Sequence, residues 1–204
     1  MNRISTHFLD LEGIKTAYYS TEGEDTPIVL LHGGGVDHAM LSWKTIMQTW
    51  TGSQPLVALD LPGYGNSDKP ELEYSLSFYT GFLNAFLDTL NAQNVTLCGL
   101  SMGGAIALQY ALRYPNYIGK LVLVAPWGVS ASVPYSLMGR LLVRLPLNQV
   151  AYKTLQNRWL AKNIIAGSLI GNREKITPEI LDEVQTAAHS KDAARVFQSF
   201  QISE

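Results

Sequence analysis

The chain has one cysteine, four histidines and few charges, and no long hydrophobic run. Each shortage excludes something. A lone Cys98 cannot close an intrachain disulfide, and no paired Cys or His spacing of a zinc site occurs, so no metal is expected. The longest apolar stretch, Leu121 to Trp127, falls far short of the roughly 18 residues a membrane span needs. The start, Met1-Asn2-Arg3-Ile4-Ser5-Thr6-His7, carries one basic residue and no apolar segment behind it, unlike a secretory signal. A reducing, cytoplasmic setting is the resulting expectation.

Charged residues make up 16% of the chain, against about 25% ordinarily. With 15 Lys+Arg against 17 Asp+Glu the net charge is −2. No basic surplus exists to neutralise phosphates, so no nucleic-acid partner is expected. Apolar residues reach 47%, too many for general disorder. A length of 204 residues, against about 100–200 per domain, implies one domain or one domain with an excursion.

Up to Val129, short apolar runs alternate with helical patterns. The strand candidates are Arg3–Leu9, Ile14–Tyr19, Ile28–Leu31, Leu56–Leu59, Val95–Cys98 and Leu121–Val124. A turn at Asp10–Gly13 makes the first two a hairpin, and the later four are nearly continuously apolar, as strands covered on both faces must be. Leu76, Tyr79, Phe82, Leu83, Phe86, Leu87 and Leu90 form one helical stripe. A second helix starts near Met102 and stops at Tyr114-Pro115. The pattern predicts an α/β fold with a mostly parallel sheet and flanking helices.

Beyond Val129 the texture is helical, over Ser136–Leu145, Val150–Ile170, Thr177–His189 and Lys191–Gln201. Thr177 as N-cap, Pro178 at the first helical position and Glu179 in the first turn mark one start. The expected division is therefore 1–129 as an α/β core and 130–204 as a helical cap or separate bundle.

Two motifs carry chemistry. Gly99-Leu100-Ser101-Met102-Gly103-Gly104 lies between a strand and a helix, the context of a G-x-S-x-G nucleophile elbow. So sharp a turn puts Ser101 in a strained conformation with its hydroxyl outward, and leaves no room for side chains two residues away on either side. The helix N-terminus aims N–H groups and a positive dipole end at that hydroxyl. His32-Gly33-Gly34-Gly35 follows another strand. Paired with the elbow, it reads as an oxyanion hole using Gly34 first and Gly35 second, with Met102 as the companion donor. It is no P-loop, because no Lys follows the glycines.

These motifs, with Asp60-Leu61-Pro62-Gly63-Tyr64-Gly65-Asn66-Ser67-Asp68, resemble the α/β-hydrolase superfamily. The closest texture is its capped branch of esterases, lactonases, haloperoxidase-like enzymes and carbon–carbon bond hydrolases. The resemblance implies Ser101 as nucleophile, no cofactor, a small-molecule acyl substrate and structural roles for Asp60, Gly63 and Gly65. It also implies an acid and then a histidine later in the chain, since serine needs a base and the base an orienting acid.

Here the sequence departs from the pattern. Only His189 follows Ser101, and Asp182 lies in the same predicted helix, roughly 10 Å away along its axis. A hydrogen bond needs about 3 Å, so neither a base nor an acid is identified. Asp192 sits near His189 without a strand end to hold it. His32 belongs to the oxyanion loop, and His38 is placed to line the cleft. Cys98 reads as a small core residue. Arg140 and Arg144 read as the wet face of a cap helix, and Trp127, Tyr135 and Met138 as pocket walls or plain packing.

After Leu121–Val124, where an acid would stand, the chain has Ala125-Pro126-Trp127. Two further strand–helix units would take on the order of 60 residues. The leading expectation is a serine hydrolase truncated before its acid and base. The alternatives are a non-catalytic binding module and a half completed by another chain. Self-association or a complementing segment is expected at the exposed sheet.

Overall fold

The computed structural model describes residues 1–129, 147–168, 170 and 172–203. The expected helix at Ser136–Leu145, with Tyr135, Met138, Arg140 and Arg144, lies outside the described residues. Six strands form one sheet: β1 (Ser5–Leu11), β2 (Ile14–Ser20), β3 (Ile28–Leu31), β4 (Leu56–Leu59), β5 (Val95–Leu100) and β6 (Ile118–Val124). Their order is β1-β2-β4-β3-β5-β6. β1 and β2 pair antiparallel, as do β2 and β4, while β4, β3, β5 and β6 run parallel. The hairpin turns through Glu12 and Gly13, both at positive φ (54° and 78°), as a twist-matched two-residue turn requires. The Asp10 carboxylate accepts from the Gly13 N–H at 3.0 Å.

Strand alternation splits the core into two layers. Val29, Leu31, Val57, Leu59 and Leu97 face α2 (Leu76–Thr89) and α3 (Met102–Arg113). Leu30, Leu56, Ala58 and Cys98 face α1 (Ala39–Thr49), which buries Ala39, Trp43 and Met47 at four-residue spacing. Helices on both faces of a largely parallel sheet are the expected architecture. α1 is an addition to the expectation, and Cys98 is the buried core residue foreseen for it.

Four described helices follow the sheet: α4 (Leu147–Leu155), α5 (Arg158–Ser168), α6 (Pro178–His189) and α7 (Ala193–Ser203). The expected single helix Val150–Ile170 is two helices. Asn157 interrupts it, its side-chain oxygen accepting the Leu160 N–H at 3.1 Å, as an N-cap does. α5 and α6 share a small core of Ala161, Ile165, Leu181 and Val184. α7 differs: its Val196 and Phe200 belong to the main core.

β6 does not match the expected strand covered on both faces. It is a sheet edge among the described residues, and from Lys120 on its residues alternate between exposed and half-buried, with Val122 at 44% and Val124 at 42% exposure. Leu121 and Leu123 pack beside α3's side of the sheet. Among the described residues nothing covers the other side.

Candidate functional site

The strand order reverses between β3 and β5: the chain leaves β3 for β4 on one flank, then returns to β5 on the other. In such sheets the crevice beyond the carboxyl ends of the two central strands is where ligands bind. β3 ends at Leu31, so His32-Gly33-Gly34-Gly35 enters that crevice, and β5 ends at Leu100, so Ser101 does too.

Ser101 is the residue before α3, at φ 49° and ψ −113°. Its backbone is fully used: its N–H donates to Val124 O at 2.9 Å, and its carbonyl accepts from Ala105 N and Trp127 N. Those bonds over-determine a conformation that L residues rarely adopt. The flanking glycines are obligatory on contact grounds. A Cβ on Gly99 would stand 2.2 Å from Gly103 O, and one on Gly103 would stand 2.5 Å from both Leu31 O and His32 O. α3 therefore lies directly against the β3 terminus.

The glycine loop is shaped by Asp37, whose carboxylate accepts from Gly33 N at 2.7 Å, His38 N at 2.8 Å and the Ser42 hydroxyl. Gly33 reaches the elbow, since a Cβ on it would be 3.6 Å from Ser101 Cβ. Gly34 lies between Met102 and α7: its Cβ would meet Met102 Sδ at 3.3 Å and the Phe197 ring at 2.6 Å. Gly35 takes φ 78°, and next to this loop the buried Tyr64 hydroxyl donates to Met102 Sδ at 3.6 Å. Burial pushes the Tyr64 hydroxyl well above its usual pKa, so it stays neutral. The N–H groups of Gly34 and Met102 donate no hydrogen bond among the described residues.

A cavity of about 150 Å³ opens at this point, bounded by Gly34, Ser101 and Met102 below and by Trp127, Phe197, Phe200 and Gln201 above. A larger cleft of about 690 Å³ lies alongside, between the Gly35–His38 and Gly63–Lys69 loops and α6. Ser101 does not line it.

No imidazole is hydrogen-bonded to Ser101. His7 stacks on Tyr18 in the hairpin. His32 is fully buried, with Nδ1 2.7 Å from Gly33 O and Nε2 accepting from Leu61 N at 3.1 Å. Burial lowers its pKa, which suits a neutral ring tying two loops together. His38 lines the larger cleft, with Nε2 3.2 Å from the Glu183 carboxylate of α6. That partner was not visible in the sequence, because Glu183 is brought to His38 only by α6 packing over α1. His189 is exposed, its ring bonded to Gln185 O within its own helix. Asp182 pairs with Arg158, and Asp192 lies 3.6 Å from Arg195.

Asp60 is buried and fully engaged, accepting from Ala39 N, Asn66 N and the Tyr19 hydroxyl. It holds α1 and the Gly63–Gly65 turn against the sheet, where both glycines take positive φ. The signal that the sequence reading missed was on α7. Phe197, Phe200 and Gln201 share one helix face by their spacing, and that face closes over the elbow.

Comparison with known proteins bears on this arrangement. The chain is 32% identical over 149 residues to an uncharacterised protein of Mycobacterium tuberculosis, covering 69% of this chain and 43% of that protein. It is 34% identical over 120 residues to the 2-hydroxy-6-oxo-2,4-heptadienoate hydrolase of Pseudomonas putida, covering 58% and 43%. A solved serine hydrolase involved in carbazole degradation superposes with a TM-score of 0.78 at 21% identity, over 98% of this chain and 70% of that one. The last is a likeness of fold. The chain spans less than half the length of these curated relatives. The alpha/beta hydrolase fold family matches residues 26–156. Because that match takes in both the glycine loop and the elbow, and well over half of the chain, this protein belongs to the alpha/beta hydrolase fold family.

Proposed function

We propose that the chain is the nucleophile-bearing part of a serine hydrolase acting on an ester, lactone or related acyl bond. Ser101 is the nucleophile, and the N–H groups of Gly34 and Met102 form the oxyanion hole. One observation carries this reading: Ser101 is held at φ 49° on the β5–α3 junction, beside two N–H groups with no partner among the described residues. Helices α4–α7 serve as the cap, on a core formed by residues 1–129.

The Ser101 oxygen attacks the carbonyl carbon while a base takes its proton, and the carbonyl oxygen becomes negative between the two N–H groups. Collapse breaks the bond to the leaving group, which takes up the proton, and leaves an acyl-serine. Water then attacks that ester, releasing the acid and returning the proton to Ser101. The base and its acid come from outside the 204 residues, in a longer polypeptide or a second chain. The open flank of β6 and the partial coverage of the relatives support that source.

A non-catalytic binding module is the second reading, favoured by the four histidines all having partners other than Ser101. Hydrolysis of 4-nitrophenyl acetate separates the two. The chain should release nitrophenol slowly above buffer, faster when imidazole is added as a surrogate base, and Ser101→Ala should remove both protein-dependent rates. Equal rates for the folded chain and folded Ser101→Ala would favour the binding module. Fast turnover without imidazole, abolished by Ser101→Ala, would mean that a complete triad lies within the chain.

A further inference from the structure

The cavity above Ser101 has unequal walls. Phe200 is almost completely buried, at 2% exposure, and packs edge-on to Trp127 with ring centroids 5.4 Å apart. Trp127 is itself tied down by its N–H bond to Ser101 O at 2.9 Å. Phe200 is held inside the main core, and the partly buried Trp127 packs against that same core. Phe197, one turn earlier on α7, is only half-buried and lies against the backbone of Gly34, where no side chain competes with it.

α7 itself is anchored. Val196 seats in the space left by Gly63, where a Cβ would come within 2.4 Å of it. Arg195 donates to the carbonyls of Lys69 and Pro70, and the Ser199 hydroxyl accepts from Tyr74 N at 3.0 Å. These contacts hold the helix in place, so on its face the half-buried Phe197 ring limits the cavity towards Gly34. The volume, about 150 Å³, is that of apolar cavities known to take up one benzene ring.

We infer that Trp127, Phe197 and Phe200 form a subsite for a single aryl ring or a comparably compact branched group on the acyl side of the substrate. Phe197 is the specificity-determining residue that excludes fused rings and extended chains. This deepens the proposed function and rests on Ser101 as the reacting atom, but the subsite itself is tested without chemistry.

The test follows the Trp127 indole N–H signal by NMR, assigned with Trp127→Phe, during titration with toluene or 1-methylnaphthalene. Toluene should shift the signal saturably in the unsubstituted chain, and 1-methylnaphthalene should not. Phe197→Ala should raise the affinity for 1-methylnaphthalene at least tenfold. Phe197→Leu, which keeps more of the packing on Gly34, should move it the same way if the alanine variant fails to fold. Toluene leaving the signal unmoved would overturn the subsite. Equal binding of both probes by the unsubstituted chain, or wild-type preference in a folded Phe197 variant, would overturn the role of Phe197. A separate arm uses phenylboronic acid, whose boron adds the Ser101 oxygen with release of its proton. A tetrahedral boron signal supports Ser101 as nucleophile. Its absence while toluene still binds counts against Ser101 and not against the subsite.

Discussion

Ser101 is one of six non-glycine residues at positive φ in the described chain. A conformation of that kind costs of order 1–3 kcal/mol. Glycine relieves it and alanine does not. Ser101→Gly should therefore be more stable than Ser101→Ala by about 1 kcal/mol in urea unfolding, a difference that an unstrained turn would not show. Gly103→Ala should act in the opposite sense. Its methyl group would be driven into the Leu31 and His32 carbonyls, and overpacking of this kind costs about 1–3 kcal/mol, read as a lower urea midpoint at unchanged slope. His32 gives a pH signature. Because burial holds its folded-state pKa below the ordinary value, the unfolded chain takes up the proton first as the pH falls. The stabilisation is complete above about pH 6.5 and is lost on acidification from there towards the folded-state value. His32→Gln should flatten the fall in melting temperature between about pH 7 and 5 while lowering stability at pH 7.5.

At the scale of elements, helix ends and strand faces decided what could be read in advance. α2 starts where Ser75 accepts the Phe78 N–H at 3.1 Å and carries a long buried stripe, so its periodicity was plain. Ser75→Ala should cost about 1 kcal/mol in unfolding free energy. α1 has no side-chain bond at its N-cap His38, and only Ala39, Trp43 and Met47 are buried on it. Three buried residues in eleven make a weak signal, and the helix is recognised only once it lies on the sheet. The Gln156–Asn157 break between α4 and α5 was hidden for a similar reason. Asn157 caps a helix only when the chain turns there, and an Asn within a helical pattern does not announce it. Thr177 and Pro178 announced α6 because their preference for a helix start is local.

In the whole molecule the flank of β6 stands out. Among the described residues no strand pairs with the outer side of β6, and that edge with the exposed Val122 and Val124 forms a template for association. The 204-residue chain is expected to self-associate in size-exclusion chromatography with light scattering. Val122→Lys combined with Val124→Lys should shift it towards monomer. A concentration-independent monomer for the unsubstituted chain would count against a segment or partner at β6. Among the described residues, no helix is long and apolar enough to cross a membrane.

The sequence alone determined the alternation of strands and helices, the hairpin turn, the elbow and the glycine loop. These are legible because their causes are local: hydrophobic period, turn stereochemistry and the steric need for Gly99 and Gly103. Tertiary structure alone decided the strand order that brings Gly34 beside Ser101, the pairing of His38 with Glu183, and the closing of Phe197 over the elbow. Each depends on residues tens of positions or more apart meeting in space, so packing set the geometry that no local pattern encodes.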